Sequence, residues 1–262
     1  AVEVVDFLRK SQDILDKAVY GHEEAKDQVL QILAQWITNP NCKGNCIAIQ
    51  GPMGNGKTTL VKEGIAKCLG RPFSLIALGG LTSSDYFIGH DYTYEGSKPG
   101  RIVEILIESL SMNPIIYFDE LDKISKCHKG QEIESFLCHL TDTSQNSQFH
   151  DKYFSGIDFD LSKAIFVFSY NDPSKISPIL LDRMIKINTE GFKTKDKIKI
   201  AENYLIPSII KEIGLKEEDI KFDCIEWIIS SYASKEKGVR NLKRILENII
   251  KKINILRYIT LA

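Results

Sequence analysis

The segment Gly51-Pro52-Met53-Gly54-Asn55-Gly56-Lys57-Thr58 places glycines, a lysine and a hydroxyl at the spacing G-x-x-x-x-G-K-[ST]. Residues of these types at this spacing bind phosphate. The glycines let the backbone close around the oxygens, and its amide N–H groups donate at the positive end of the helix that follows. Lys57 brings a point charge to the β and γ phosphates, and Thr58 brings a hydroxyl for Mg²⁺. The pattern is specific only between a strand and a helix. Here the apolar run Ile47 to Gln50 precedes it and an amphipathic stretch, Lys57 to Leu69, follows. Pro52, Met53, Asn55 and Thr59 complete the set expected to contact a nucleotide; Met53 and Asn55 are uncommon fillings of positions that the pattern leaves free.

A second pair of groups follows another apolar run. Pro114-Ile115-Ile116-Tyr117-Phe118 leads into Asp119-Glu120, so two carboxylates emerge where a buried strand ends, the edge of a parallel sheet at which ligands bind. Asp119 is suited to hold Mg²⁺ through water, and Glu120 to orient and polarise the water that attacks a γ phosphate. Asn171 ends the run Ile165 to Tyr170, where its amide can meet that water or the phosphate; an Asx turn before Asp172-Pro173 is the plainer reading. Arg183 follows Leu180-Leu181-Asp182, close enough to Asp182 for a local ion pair, while its sharper role is an arginine finger offered to a neighbouring subunit. Arg240 opens the last helical pattern, either as surface charge or as a group reaching the nucleotide.

The elements that must position these groups follow from periodicity. Short apolar runs, Cys46 to Ile49, Phe73 to Leu78, Ile115 to Phe118, Ile165 to Phe168 and Met184 to Ile187, alternate with helical patterns at Lys57 to Leu69, Arg101 to Leu110, Glu132 to Leu140 and Ser177 to Leu181. Such alternation predicts an α/β domain, a parallel sheet sandwiched by helices. After about Phe192 the strands stop. Amphipathic segments near Lys195 to Ile213, Phe222 to Ala233 and Val239 to Leu256 predict a small all-helical domain, with a boundary between residues 192 and 193. In the last of them Val239, Leu242, Ile245, Leu246, Ile249, Ile250, Ile253 and Leu256 form one stripe, and Lys243, Arg244, Lys251 and Lys252 read as a solvated face. The polar stretch Thr141 to His150 reads as an ordinary surface loop.

Composition narrows the class. With 43% hydrophobic and 26% charged residues the 262-residue chain can bury a core and is not a disordered one. Its 34 Lys plus Arg stand against 35 Asp plus Glu, a net charge of −1, so no global basic field recruits nucleic acid. No apolar run approaches the ~20 residues that cross a bilayer. Six cysteines at irregular positions read as reduced thiols in the cytoplasm or another reducing compartment. Cys42 and Cys46 lack a second pair to complete a zinc site, His22-Glu23-Glu24 lacks a second His, no G-x-S-x-G elbow occurs, and a helix points Cys138 and His139 apart. The chain opens on Ala1 with residues that already read as helix, as a segment of something longer would.

With these motifs in this order the chain resembles an AAA+ ATPase, and the phrases between them resemble the ATPase module of the Lon protease family nearly end to end. The phrases are Tyr20-Gly21, Leu78-Gly79-Gly80, Pro99-Gly100-Arg101-Ile102, Asp119-Glu120-Leu121-Asp122-Lys123, Phe159-Asp160-Leu161-Ser162, Leu180-Leu181-Asp182-Arg183-Met184, Tyr204-Leu205-Ile206-Pro207 and Gly238-Val239-Arg240-Asn241-Leu242. The resemblance implies ATP or ADP and Mg²⁺ as ligands, Asn171 as sensor 1, Arg183 as the finger acting in trans, Arg240 as sensor 2 and Tyr20 near the adenine. It implies a homo-oligomeric ring, a hexamer in that family, that unfolds and translocates protein substrates for ATP-dependent proteolysis.

Two departures accompany it. Lon-like proteins carry an aromatic-apolar-Gly triplet in the first pore loop, and the corresponding Gly89 to Gly100 segment here reads Tyr94-Glu95-Gly96, with an acid in the apolar place. The family's Ser and Lys peptidase dyad has no counterpart among these residues, so the resemblance assigns ATP hydrolysis and no peptidase. A stand-alone AAA+ remodelling ATPase acting on nucleic-acid complexes is the alternative reading, and a nucleotide-holding module without hydrolysis is a third.

Overall fold

The computed structural model describes residues 2–40, 46–93, 95–216 and 220–260. In chain order the elements are α1 (Val2–Ala18), α2 (Glu23–Thr38), β1 (Cys46–Gln50), and α3 (Lys57–Thr59), which runs through a π-helical stretch (Leu60–Ile65) into α4 (Ala66–Leu69). Then come β2 (Phe73–Ala77), α5 (Asp85–Ile88), α6 (Arg101–Ser109), β3 (Ile115–Asp119), α7 (His128–Thr141), β4 (Phe149–His150), β5 (Asp158–Phe159), β6 (Ile165–Tyr170), α8 (Pro178–Leu181) and β7 (Ile185–Asn188). Helices follow: α9 (Thr194–Ile200), a second π-helical stretch (Ala201–Leu205), α10 (Ile206–Ile213), α11 (Ile225–Tyr232) and α12 (Arg240–Thr260).

The five long strands form one parallel sheet in the order β2-β3-β6-β1-β7. Because strand side chains alternate, consecutive residues of β3 and β6 serve opposite cores. Ile116, Phe118, Phe166 and Phe168 join one, packed with Ile102, Ile105 and Leu106 of α6 and Ile133 and Leu137 of α7. Ile115, Tyr117, Ile165 and Val167 join the other, packed with Leu15 of α1, Val29 and Leu33 of α2, and Leu60, Val61 and Ile65. Burial on both faces accounts for the continuous apolar runs in the sequence. α1 can lie tightly against the π-helical stretch because Gly64 has no Cβ: one added there would stand 2.9 Å from Leu15 Cδ2.

The registers bring the carboxyl ends of the central strands level, pairing Gln50 with Tyr170, Phe118 with Phe168 and Ala77 with Asp119. β1 has β6 on one side and β7 on the other, while the chain leaves it for the far edge at β2. That reversal beside β1 is where open α/β sheets bind ligands.

The stretch Thr141 to His150 is not an ordinary surface loop. Thr141 and Asn146 are buried, Phe149 lies in the core, and Phe149 and His150 pair antiparallel with Phe159 and Asp158. The Asn146 carbonyl accepts from the Leu161 amide at 2.9 Å. Two-residue strands show no usable periodicity, which is why polar composition misleads here.

By internal contacts the chain divides into residues 1–51 with 57–189, and residues 52–56 with 190–262. The chain leaves the first unit at Gly51, makes the glycine-rich turn as part of the second, and re-enters the first at Lys57. The second unit has its own core, Ile206, Ile209 and Ile210 of α10, Ile228 and Ile229 of α11, and Leu242, Leu246 and Ile250 of α12. The α12 stripe stays in that core through Ile253, but Leu256 is 59% exposed, together with Ile255, Tyr258 and Ile259. Among the described residues Cys46, Cys68, Cys127, Cys138 and Cys224 are free thiols, and no helix is long and apolar enough to cross a membrane. Cys42 lies outside the described residues.

Candidate functional site

In the first unit, β1, β6 and β3 deliver four predicted site residues to one edge of the sheet. Lys57, at the start of α3, is buried, with only 9% exposure. Its Nζ donates to the Gly51 carbonyl at 2.7 Å and to Asn171 Oδ1, just beyond β6, at 3.1 Å. A buried ammonium is stable only among acceptors, and these hold it at the strand ends. Asn171 thus faces Lys57. Its neighbour also has a fixed turn: Asp172 Oδ1 accepts from the Ser174 amide at 3.1 Å, and the Asp172 amide donates to Asp122 Oδ2 at 3.1 Å.

Asp119 closes β3. Its Oδ1 accepts from the Glu120 amide at 3.0 Å and from Ser169 Oγ. Glu120 then turns the chain in the left-handed region at φ 60 and ψ 47, a conformation that costs a non-glycine residue about 1 kcal/mol or more. Among the described residues the Glu120 carboxylate has no hydrogen-bond partner, a suitable condition for a group that is to bind water. It also has reserved space: a Cβ on Gly79 would stand 2.6 Å from Glu120 Oε2.

Thr58 is half-buried, with Oγ1 3.2 Å from the Tyr117 hydroxyl. Tyr117 is fully buried, and burial pushes its phenol up to about 12, so it stays protonated. Neither Tyr117 nor Ser169 stands out in the sequence, because each occupies a core position in a strand that is otherwise apolar. Thr58 Oγ1 and the Asp119 carboxylate are hard oxygen donors, the class that Mg²⁺ takes; with a buried lysine at the same strand ends, the donor set fits a magnesium nucleotide.

In the second unit the glycine-rich turn meets the start of α12. Gly54 takes φ +75 and Gly56 φ +93, which L side chains rarely adopt. The Gly54 carbonyl accepts from the Val239 amide at 2.9 Å, and an added Cβ at Gly54 would meet Arg240 Cβ at 2.9 Å. Gly238 allows this approach, since a Cβ there would strike the Met53 carbonyl oxygen at 2.3 Å. Asn55 Nδ2 donates to the Glu190 carbonyl at 3.3 Å. Among the described residues the amides of Met53, Gly54 and Gly56 donate to nothing, as donors kept for an anion would. Arg240 is exposed, and among the described residues its guanidinium has no partner.

Two residues that hold Arg240 in place were not anticipated. Glu236 caps α12, its carboxylate accepting from the Asn241 amide at 2.8 Å and the Leu242 amide at 3.3 Å. Lys197 of α9, 2% exposed, donates to the Ala233 carbonyl at 2.8 Å and to the Glu236 carbonyl. Burial lowers its pKa. A lysine in an amphipathic helix ordinarily reads as surface, so only the fold shows this role.

Arg183 forms no ion pair with Asp182. Its Nη1 donates to the Cys138 carbonyl at the end of α7 and lies 3.4 Å from Asp142 Oδ2, with the side chain 35% exposed. Tyr20 sits half-buried in the turn between α1 and α2, where Gly21 and His22 are both left-handed. Thr59 is exposed. In the expected pore loop Tyr94 lies outside the described residues, while Glu95 and Gly96 are exposed, Gly96 at φ +77. The neck of that loop is pinched: a Cβ on Gly89 would meet the Gly100 nitrogen at 2.7 Å, and Asp151 Oδ2 accepts from the Gly100 amide at 2.8 Å. Tyr92, 64% exposed, is a second aromatic on the loop.

Comparison with known proteins gives the family. The model of the ATPase family associated with various cellular activities (AAA) matches residues 47–190. A Lon protease homolog of Acanthamoeba polyphaga mimivirus is 41% identical over 256 residues, 97% of this chain and 25% of that protein. The Lon protease of Clostridioides difficile is 41% identical over 248 residues, 94% of this chain and 31% of its own length. For the mitochondrial Lon protease homolog of Schizosaccharomyces pombe the values are 39% over 247 residues, 94% and 23%. The chain therefore spans about a quarter to a third of the length of these relatives. The match to the family model covers both the glycine-rich turn and the Asp119-Glu120 strand end, and the chain belongs to the AAA ATPase family, as a module of the Lon type.

Proposed function

We propose that this chain hydrolyses ATP with Mg²⁺ and uses the cycle to pull on protein substrates, as the motor of a Lon-type protease. The observation that carries the reading is the meeting of Lys57, Asn171, Asp119 and Glu120 at the level carboxyl ends of β1, β6 and β3.

In this reading residues 1–192 form the nucleotide-binding domain and 193–262 the helical lid. The amides of the turn from Gly51 to Gly56, with Lys57, bind the phosphates; Pro52, Met53, Asn55 and Thr59 line the turn, and Tyr20 lies near the base. Thr58 and Asp119 would hold Mg²⁺, which supplies charge neutralisation at the phosphate oxygens. Glu120, its carboxylate unpaired among the described residues and its backbone set by the left-handed turn, accepts a hydrogen bond from the attacking water and aligns it. Asn171 shares Lys57 as a partner and so reports the state of the terminal phosphate to β6. Arg240, whose backbone lies against Gly54, adds a second positive group.

Arg183 is held by Cys138 and Asp142 of its own chain with its side chain 35% exposed, and the role of a finger that completes the site of a neighbouring copy comes to it from the family resemblance. A ring, a hexamer by the family resemblance, is then required for full activity. The loop from Gly89 to Gly100, with Tyr94, Glu95 and Gly96, lines the channel and grips polypeptide. The free thiols fit a reducing compartment such as the cytoplasm.

The test is steady-state ATP hydrolysis with Mg²⁺, with and without an unfolded protein such as casein, alongside Glu120→Gln. Turnover that casein stimulates and Glu120→Gln abolishes supports the motor. Stimulation by DNA in place of casein, lost as salt rises, would overturn it in favour of a remodeller of nucleic-acid complexes.

A further inference from the structure

The cation site proposed above contains a polar string. Thr58 Oγ1 is 3.2 Å from the Tyr117 hydroxyl. Ser169 and Asp119 are neighbours of that hydroxyl, and Ser169 Oγ donates to Asp119 Oδ1. Tyr117 is 0% exposed and Ser169 1% exposed, so water does not substitute for these contacts.

Counting protons gives one direction that satisfies every hydroxyl of the string. An ionised carboxylate only accepts, and each hydroxyl has one proton to give. Ser169 spends its proton on Asp119, leaving only lone pairs toward Tyr117. With Ser169 and Asp119 beside it, the Tyr117 proton has an acceptor on that side, and its oxygen is left for Thr58. In that arrangement Thr58 donates to Tyr117. With its proton turned inward, the Thr58 oxygen presents lone pairs outward, as a cation ligand must.

The position is also unexpected for a hydroxyl. Tyr117 shares the core of Ile115, Ile165 and Val167, where any apolar ring would fill the space. Burying a hydroxyl there costs free energy unless it is hydrogen-bonded, and the partners it finds are the two residues assigned to the metal and the serine between them.

We propose that Tyr117, supported by Ser169, is a positioning residue for magnesium: it orients the Thr58 hydroxyl so that its lone pairs face the cation, and it couples that orientation to Asp119. This inference rests on the reading of Thr58 and Asp119 as the metal-holding pair.

The test is equilibrium binding of a fluorescent ADP analogue to the 262-residue chain, in Mg²⁺ and again in EDTA, for the unsubstituted protein, Tyr117→Phe and Ser169→Ala. The readout is the ratio of the two affinities, which a general loss of folding does not change selectively. The expected result is a magnesium-dependent gain reduced about fivefold in Tyr117→Phe, the effect of one hydrogen bond, with affinity in EDTA unchanged and a similar loss in Ser169→Ala. Melting curves confirm that both variants fold, and the serine variant carries the test if the phenylalanine variant does not. An intact gain in either folded variant, or an equal loss with and without Mg²⁺, would overturn the proposal. If the unsubstituted protein shows no magnesium-dependent gain, the assignment of Thr58 and Asp119 fails and this inference fails with it.

Discussion

Gly79→Ala tests whether Glu120 acts through the placement of its carboxylate. Gly79 does not occupy the left-handed region, so alanine meets no backbone strain, yet its Cβ would stand 2.6 Å from Glu120 Oε2. Ordinary contact begins at 3.4 Å, so the carboxylate must retreat by the difference, about 0.8 Å, while Lys123 Cβ at 3.5 Å needs no adjustment. The displaced atom is the end of a flexible side chain, and the fold yields at little cost; reduced freedom of the unfolded chain offsets that by about 0.4–1 kcal/mol. Catalysis tolerates such displacement far less, since a misplacement of about 1 Å can cost about a hundredfold. The expected result is kcat lower by about 10- to 100-fold, with nucleotide affinity and melting temperature near those of the unsubstituted protein. Gly80→Ala is the control: at φ +88 with nothing within 4 Å, it loses about 1 kcal/mol of stability and keeps its kcat. An unchanged kcat in Gly79→Ala would refute the argument that this carboxylate must stand where the structure places it.

Other consequences follow from particular contacts. Glu236→Ala removes the cap of α12 and should destabilise the chain by about 1 kcal/mol, measured by urea denaturation, while weakening nucleotide binding through Arg240. Lys197→Met leaves the Ala233 and Glu236 carbonyls without their donor and should cost about 2 kcal/mol. Because burial lowers the Lys197 pKa below its unfolded value of 10.5, the unfolded state binds more protons in that window, so this lysine makes stability rise with pH toward 10.5; Lys197→Met should flatten that slope in denaturation curves taken as the pH approaches 10.5 from below. Among the thiols, hydrogen bonds from Ser125 and nearby backbone amides lower the pKa of exposed Cys127, whereas burial pushes Cys46 up to about 12. Iodoacetamide at neutral pH should therefore label Cys127 before the other described thiols and leave Cys46 unlabelled until the protein unfolds, as peptide mass mapping would show.

The sheet was legible because its strands are buried on both faces and read as continuous apolar runs, and because each site motif falls where such a run ends. Lys57 and Asn171 are 114 positions apart in the sequence, and their 3.1 Å contact follows once both are placed at the ends of adjacent strands. What stayed hidden depends on contacts that local pattern does not encode. Tyr117 and Ser169 look like strand filling until Thr58 and Asp119 are beside them. Arg183 has an acid next to it in sequence, yet the helix-end geometry turns it to Asp142 and the Cys138 carbonyl. Lys197 and Glu236 belong to charged surface patterns, and only the packing of α9 against the end of α11 buries the lysine. Thr141 to His150 is polar enough to suggest a loop, although Phe149 and the buried Asn146 anchor it.

The most direct measurement mixes two inactive variants. Glu120→Gln lacks the water-orienting carboxylate but can offer Arg183, while Arg183→Ala lacks the finger but keeps Glu120. If Arg183 of one copy completes the site of the next, an equal mixture should regain about a quarter of the unsubstituted ATPase rate, the fraction of sites that combine an Arg183→Ala subunit with a Glu120→Gln neighbour on the required side of a head-to-tail ring. Absence of recovery in rings verified to contain both variants, or full activity of Arg183→Ala alone, would contradict a shared active site.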